Sequence, residues 1–148
     1  MSFFLTQAEA DALLAMEKQR VDDERVRLPD LGGSLVVPLV SRDGVEAFHL
    51  DIARSRINLA KTKYQNRARK TVVLARIDIG GAPHRNPDDS ELPCPHIHLY
   101  REGYGDRWAF PIDPRIFTNP IDAWQTLAEF LRFCNVTRPP EFDRGLFT

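Results

Sequence analysis

Thr71-Val72-Val73-Leu74-Ala75-Arg76-Ile77-Asp78-Ile79, closed by Gly80-Gly81, is the plainest strand in the chain. Alternation predicts Val73, Ala75, Ile77 and Ile79 on one face, with Val72, Leu74, Arg76 and Asp78 on the other. A half-buried strand of this kind needs neighbours, and the flanking sequence supplies them. Upstream, Leu35–Val40 and Glu46–Ile52 enclose Asp43-Gly44, a hairpin signal. Pro38 lacks an amide proton, so its strand is expected at a sheet edge or at a bulge. In the second strand Phe48, Leu50 and Ile52 alternate with Ala47, His49 and Asp51. Downstream, strands are expected over Pro95–Arg101 and Arg107–Ile112, with an exposed, proline-rich loop over Ala82–Pro95.

Helices bracket these strands. Thr6-Gln7-Ala8-Glu9 reads as a capping box and predicts a helix to about Arg20, with Ala10, Leu13, Leu14 and Met16 facing inward. The charged segment Val21–Arg27 extends or frays it, and Pro29 and Gly32-Gly33 break the chain. Near the other end, Asn119 as N-cap, Pro120 at the first helical position and Asp122 predict a second helix. Its apolar stripe is Ile121, Trp124, Leu127, Ala128 and Leu131, Asn135 ends it, and Pro139-Pro140 leads into an irregular tail. No helix of crossover length separates the strands, so an antiparallel meander is expected. The predicted fold is α+β: one domain over residues 1–148, with a single, mostly antiparallel sheet of about five strands. An N-terminal and a C-terminal helix pack on one face of it.

At 148 residues, with 43% hydrophobic and 28% charged residues, the chain suits one soluble domain with a real core. No apolar run reaches the roughly 20 residues that span a bilayer, so no membrane partner is expected. Met1–Thr6 lacks the basic start of a signal peptide, and the expected location is cytoplasmic. Cys94 and Cys134, forty residues apart, do not have metal-ligand spacing. Cys134 reads as a core residue, and Cys94 stands between two prolines beside His96.

Charge is uneven. Residues 1–30 carry seven acids against four bases, whereas Ile52–Ile77 contains no acid. That acid-free stretch holds Arg54, Arg56, Lys61, Lys63, Arg67, Arg69, Lys70 and Arg76. It suits a phosphate backbone, with Tyr64 to stack on a base. The plainer reading is a solvated basic loop or hairpin opposite the acidic N-terminal helix, and the pI near 6.4 favours no dedicated nucleic-acid domain.

The sheet's second face gathers the chemistry. It is expected to present His49, Asp51, Arg76, Asp78, His96, His98 and Tyr100, with His84 in the adjoining loop. Metal-free RNA cleavage needs a base for the 2′-hydroxyl, an acid for the leaving oxygen and a cation for the phosphorane. His98 with His96 or His84 would make the acid–base pair, Arg76 or Arg101 the cation, and Tyr100 a donor. A metal reading is also open, with His96 and His98 on one strand and Glu102 or His84 as third ligand. The spacing overlaps part of a cupin signature, but Ser90 and Ala109 stand where its glycines belong. Tyr100 likewise stands where a histidine-triad hydrolase needs its last histidine. Against both readings, His49 paired with Asp51, Glu102 and Asp106 in turns, and Trp108 and Trp124 in the core describe an ordinary protein-binding domain.

The run Ala75–His84 and the core Pro95-His-Ile-His-Leu-Tyr-Arg-Glu-Gly-Tyr-Gly105, within Phe48–Pro111, resemble a family of small uncharacterised bacterial proteins. Such proteins turn up among prophage and mobile-element genes. The Pro-His-x-His element is also similar to one in a small family met near toxin–antitoxin loci. Neither likeness supplies an activity, a cofactor or catalytic residues. They imply a role in phage–host or toxin–antitoxin conflict. Three readings follow: a protein that binds and cleaves RNA or DNA, a non-enzymatic antitoxin or inhibitor with a cognate protein partner, and a metalloenzyme.

Overall fold

The computed structural model describes residues 5–30, 32–55 and 61–143. Helix α1 (Gln7–Ala15) opens on the capping box: Thr6 accepts from the Glu9 amide, and Glu9 reaches back to the Thr6 amide. It stops five residues before the expected end at Arg20, because Lys18 turns inward. In a longer helix the Lys18 amide would take the Leu14 carbonyl. Here Lys18 Nζ takes that carbonyl at 2.8 Å, and those of Met16 and Cys134 at 2.9 and 2.7 Å. The chain continues as strand β1 (Lys18–Arg20), then a two-residue strand β2 (Val26–Arg27). Met16, expected inside, is left on the surface.

The next strands form a long antiparallel run: β3 (Ser34–Ser41), β4 (Ala47–Arg54), β5 (Thr62–Ala68) and β6 (Val72–Ile79). A small ladder, β7 (His84–Arg85) with β8 (Glu91–Leu92), precedes β9 (His96–Leu99) and β10 (Ala109–Pro111). Helix α2 (Ala123–Phe133) leads to β11 (Val136–Arg138) and β12 (Phe142–Asp143). The main sheet has eight strands in the order β10-β9-β6-β5-β4-β3-β1-β11, and β12 pairs with β2 separately. This corrects the expected sheet of about five strands. It is mixed, since β1 and β11 run parallel, although the α+β class stands. The segment after Pro139-Pro140, expected as an irregular tail, thus supplies β12, and β11 lies just ahead of it.

Strand β5 was masked in the sequence by its charge. Its inward residues are Thr62, Tyr64, Asn66 and Ala68, which make a weak apolar signal, while Lys63, Gln65 and Arg67 face outward. A bulge opposite β5 changes the reading of β6. Asn66 faces Ala75 and Arg67 faces Val73, so Leu74 is the extra residue. Beyond it the alternation slips by one, and Val72 and Leu74 enter the core while Val73 does not. Pro38 sits where β1 no longer covers β3, since β1 pairs only with Leu39–Ser41.

One core joins the inner face of the sheet to both helices. Phe48, Leu50, Ile52, Ile77 and Ile97 meet Leu13 of α1 and Leu127 and Phe130 of α2. Helix α2 starts three residues later than expected, on Asp122, which accepts from the Gln125 amide at 3.0 Å. Ile121 is therefore outside the helix and 92% exposed, Ala128 is also exposed, and Phe130 takes the inner position. Among the described residues, no helix is long and apolar enough to cross a membrane.

Candidate functional site

Register decides what meets on the outer face. Arg76 stands opposite His98, and Asp78 opposite His96 on one side and Lys63 on the other. Alternation aims all of these side chains away from the core. His96 and His98 are each 1% exposed, because the segment that carries β7 and β8, and the turn at Asp106–Arg107, fold over them. Asp78 Oδ2 lies 3.2 Å from His96 Nε2 and 3.3 Å from His98 Nε2. Arg76 donates to Asp78 Oδ1 at 3.0 Å and to Asp106 Oδ2 at 2.9 Å.

The other ring nitrogens assign the tautomers. His98 Nδ1 is 2.8 Å from the Asp106 carbonyl, and His96 Nδ1 is 3.2 Å from the Pro93 carbonyl. Carbonyl oxygens bring no proton, so both rings carry theirs on Nδ1. Both Nε2 atoms are then turned toward one carboxylate oxygen. His96 Nε2 is aligned with it, whereas His98 Nε2 lies off the hydrogen-bond direction and has no partner. Burial works against ionisation of Asp78, and the Arg76 guanidinium 3.0 Å from Oδ1 works for it; the carboxyl is held well below the usual range. Asp78, His96 and His98 form a group whose potential ligand atoms lie within 4.8 Å of one another.

A polar cleft of about 210 Å³ opens above this cluster. Lys61, Lys63, Arg76, Asp78, His84, Cys94 and His96 line it. His84 belongs to the same cluster in space, its ring centroid 4.5 Å from that of His98 and 5.9 Å from that of His96. Its Nε2 is 2.7 Å from the Arg107 carbonyl, which leaves Nδ1 as the other nitrogen for proton exchange. Cys94 Sγ is 3.7 Å from His96 Nδ1. The loop expected to be exposed is pinned by buried Asn86, which donates to the Ala109 carbonyl at 3.1 Å and accepts from its amide at 2.8 Å. Asn86→Ala is expected to cost about 1–3 kcal/mol by stranding both groups. It is also expected to shift the His84 ring resonances, read together by denaturant unfolding and NMR.

The remaining candidates lie elsewhere. Tyr100 faces the core instead of the site: it follows the end of β9 beside the bulge, its amide bonding the Leu74 carbonyl at 3.0 Å and its hydroxyl the Leu5 carbonyl at 2.7 Å. Glu102 accepts from the Gln7 amide at 2.7 Å, so it sits at the start of α1 and not beside the histidines. Arg101 stacks over Trp108 at 4.6 Å. Tyr64 is buried with its hydroxyl on the Ala123 carbonyl at 2.7 Å, so its ring cannot stack on a base. Arg67 grips Asp51 through two bonds of 2.6 and 2.8 Å, and Gln65 shares that carboxylate, so His49 is not its hydrogen-bond partner. Arg54 approaches the Pro29 carbonyl at 3.4 Å. Arg56 lies outside the described residues. Cys134 is buried, and burial pushes its thiol up to about 12. The residue that sequence reasoning placed on this face but did not join to the histidines is Asp78.

Fold and site together define a small α+β protein whose sheet carries a buried aspartate–dihistidine cluster under a basic cleft. The chain belongs to DUF6978, a family of unknown function, whose model matches residues 5–136. No curated protein and no solved structure matches it.

Proposed function

We propose that the cleft binds the phosphate of single-stranded RNA and that His84 moves a proton there in phosphodiester cleavage. The observation that supports this reading is the meeting of Lys61, Lys63 and Arg76 with His84 around one cleft. Three cations against the Asp78 carboxylate and, behind Arg76, that of Asp106 leave a net positive charge suited to a phosphate. His98 does not line the cleft, and His84, half-buried at its rim, is the histidine best placed to reach a substrate. In the step proposed, the ribose 2′-oxygen attacks phosphorus while its proton passes to His84. The 5′-oxygen leaves and takes a proton from water, and a 2′,3′-cyclic phosphate remains. DNA, which lacks the 2′-hydroxyl, would bind without being cleaved. Such an activity belongs in the cytoplasm and suits a toxin–antitoxin or prophage setting.

Fluorescence anisotropy with a labelled single-stranded RNA, measured across salt concentrations, tests the binding half. Three phosphate contacts predict a log–log salt slope of about −2. The Lys61→Ala/Lys63→Ala double variant is expected to weaken binding and to flatten the slope to about −0.7. An unchanged slope would remove these lysines from the interface.

A further inference from the structure

We infer that Asp78, His96 and His98 hold one zinc-class divalent ion through Oδ2, Nε2 and Nε2. The tautomers come first. With both Nδ1 protons given to the Asp106 and Pro93 carbonyls, each Nε2 offers a lone pair, and both lone pairs turn toward an anionic oxygen. Lone pairs facing a carboxylate repel unless a positive charge stands between them. Two added protons would supply it, but as two buried imidazolium rings only 5.0 Å apart beside Arg76. One metal ion supplies it to all three groups at once.

The distances agree with that choice. Zinc–nitrogen and zinc–oxygen bonds of about 2.0–2.1 Å imply edges of about 3.3 Å between ligands in a tetrahedron. The two edges from Asp78 Oδ2 are 3.2 and 3.3 Å, and the third, between the two Nε2 atoms, lies within 4.8 Å and closes onto the ion. The orphaned His98 Nε2 is the buried atom that an ion would satisfy. The outer groups have the usual form as well: ring N–H groups on backbone carbonyls fix the imidazoles, and Arg76 holds the second carboxylate oxygen. Arg76 opposes a second cation, yet Asp106 offsets its charge from 2.9 Å away. Asp78 and His96 line the cleft, so the fourth position of a bound ion would open toward Lys61, Lys63 and His84. Two imidazoles, one carboxylate and an open position suit a catalytic zinc. The inference concerns the floor of the same cleft but does not depend on RNA binding.

Chelator-treated protein titrated with Zn²⁺ in a calorimeter, without nucleic acid, tests it. One ion per chain is expected, and Co²⁺ should give the visible bands of a four-coordinate site. Asp78→Asn and His98→Gln are each expected to lose more than the roughly 10- to 100-fold that an outer-shell change costs. Glu102→Gln, which alters the carboxylate at the start of α1, should bind as the wild type does. Long-range nitrogen NMR of the wild type gives the same answer even if a variant fails to fold. Zn²⁺ should move the Nε2 signals of His96 and His98 most and leave those of His49. Absence of saturable uptake, movement of the other two histidines instead, or unchanged affinity in folded Asp78→Asn would overturn the assignment. Because no RNA is present, such a failure leaves the phosphate reading standing, and loss of RNA binding leaves this one standing.

Discussion

Lys18→Met is expected to lower unfolding free energy by about 3 kcal/mol at neutral pH, a large share of the roughly 5–15 kcal/mol that holds a domain of this size. Lys18 is fully buried, and its ammonium is shared by the carbonyls of Leu14, Met16 and Cys134. Those carbonyls lie at the C-terminal ends of α1 and α2, where a cation also meets the negative end of each helix. Methionine keeps the volume but strands three acceptors, and the return of one buried charge to water offsets only part of that loss. Burial pushes the Lys18 ammonium down to about 8, below its ordinary 10.5. The folded chain therefore gives up this proton before the unfolded chain does. The proton-linked part of this contribution is absent below about pH 8 and complete above about 10.5, adding about 3 kcal/mol between them to the hydrogen-bond part present at neutral pH. Cys134 and Tyr64, whose values burial raises, act in the opposite direction in both proteins. The gap between wild type and variant should thus widen with pH in urea titrations, and a flat or narrowing gap would contradict the account.

Phe130→Ala is expected to cost about 3–5 kcal/mol. Its ring is fully buried where α2 meets the sheet, 6.3 Å from the ring of Tyr64 on β5. The preceding residue of β5, Lys63, lies on the opposite face and lines the cleft. The cavity would therefore loosen the support beneath the site as well as the core. Equilibrium unfolding should show the lost stability at an unchanged m-value. A loss below about 1 kcal/mol would mean that α2 is not the lid of this core.

Local alternation was enough to read β3, β4, β6, β9 and β10, and it put Arg76, Asp78, His96 and His98 on one face. It failed where burial depends on distant partners. No window around Lys18 shows that a carbonyl 116 residues away will receive its proton. Strand β5 hides because Thr62 and Asn66 are buried polar residues in a run rich in bases. Tyr100 continues the alternation of His96 and His98 on paper, but the bulge at Leu74 turns it into the core. Glu102 follows the histidines in sequence, yet the strand has ended and the start of α1 takes its carboxylate. Asp78 joins the histidines through register, which a single strand does not disclose. The approach of His84 to His98 likewise depends on Asn86 anchoring its loop to β10.

The most direct test of the central claim is a gel of labelled single-stranded RNA incubated with wild-type protein and with His84→Ala. The account predicts fragments ending in cyclic phosphate for the wild type. It predicts none for His84→Ala, although that variant still shifts the RNA. Intact RNA with the wild type, or equal cleavage by both proteins, would contradict it.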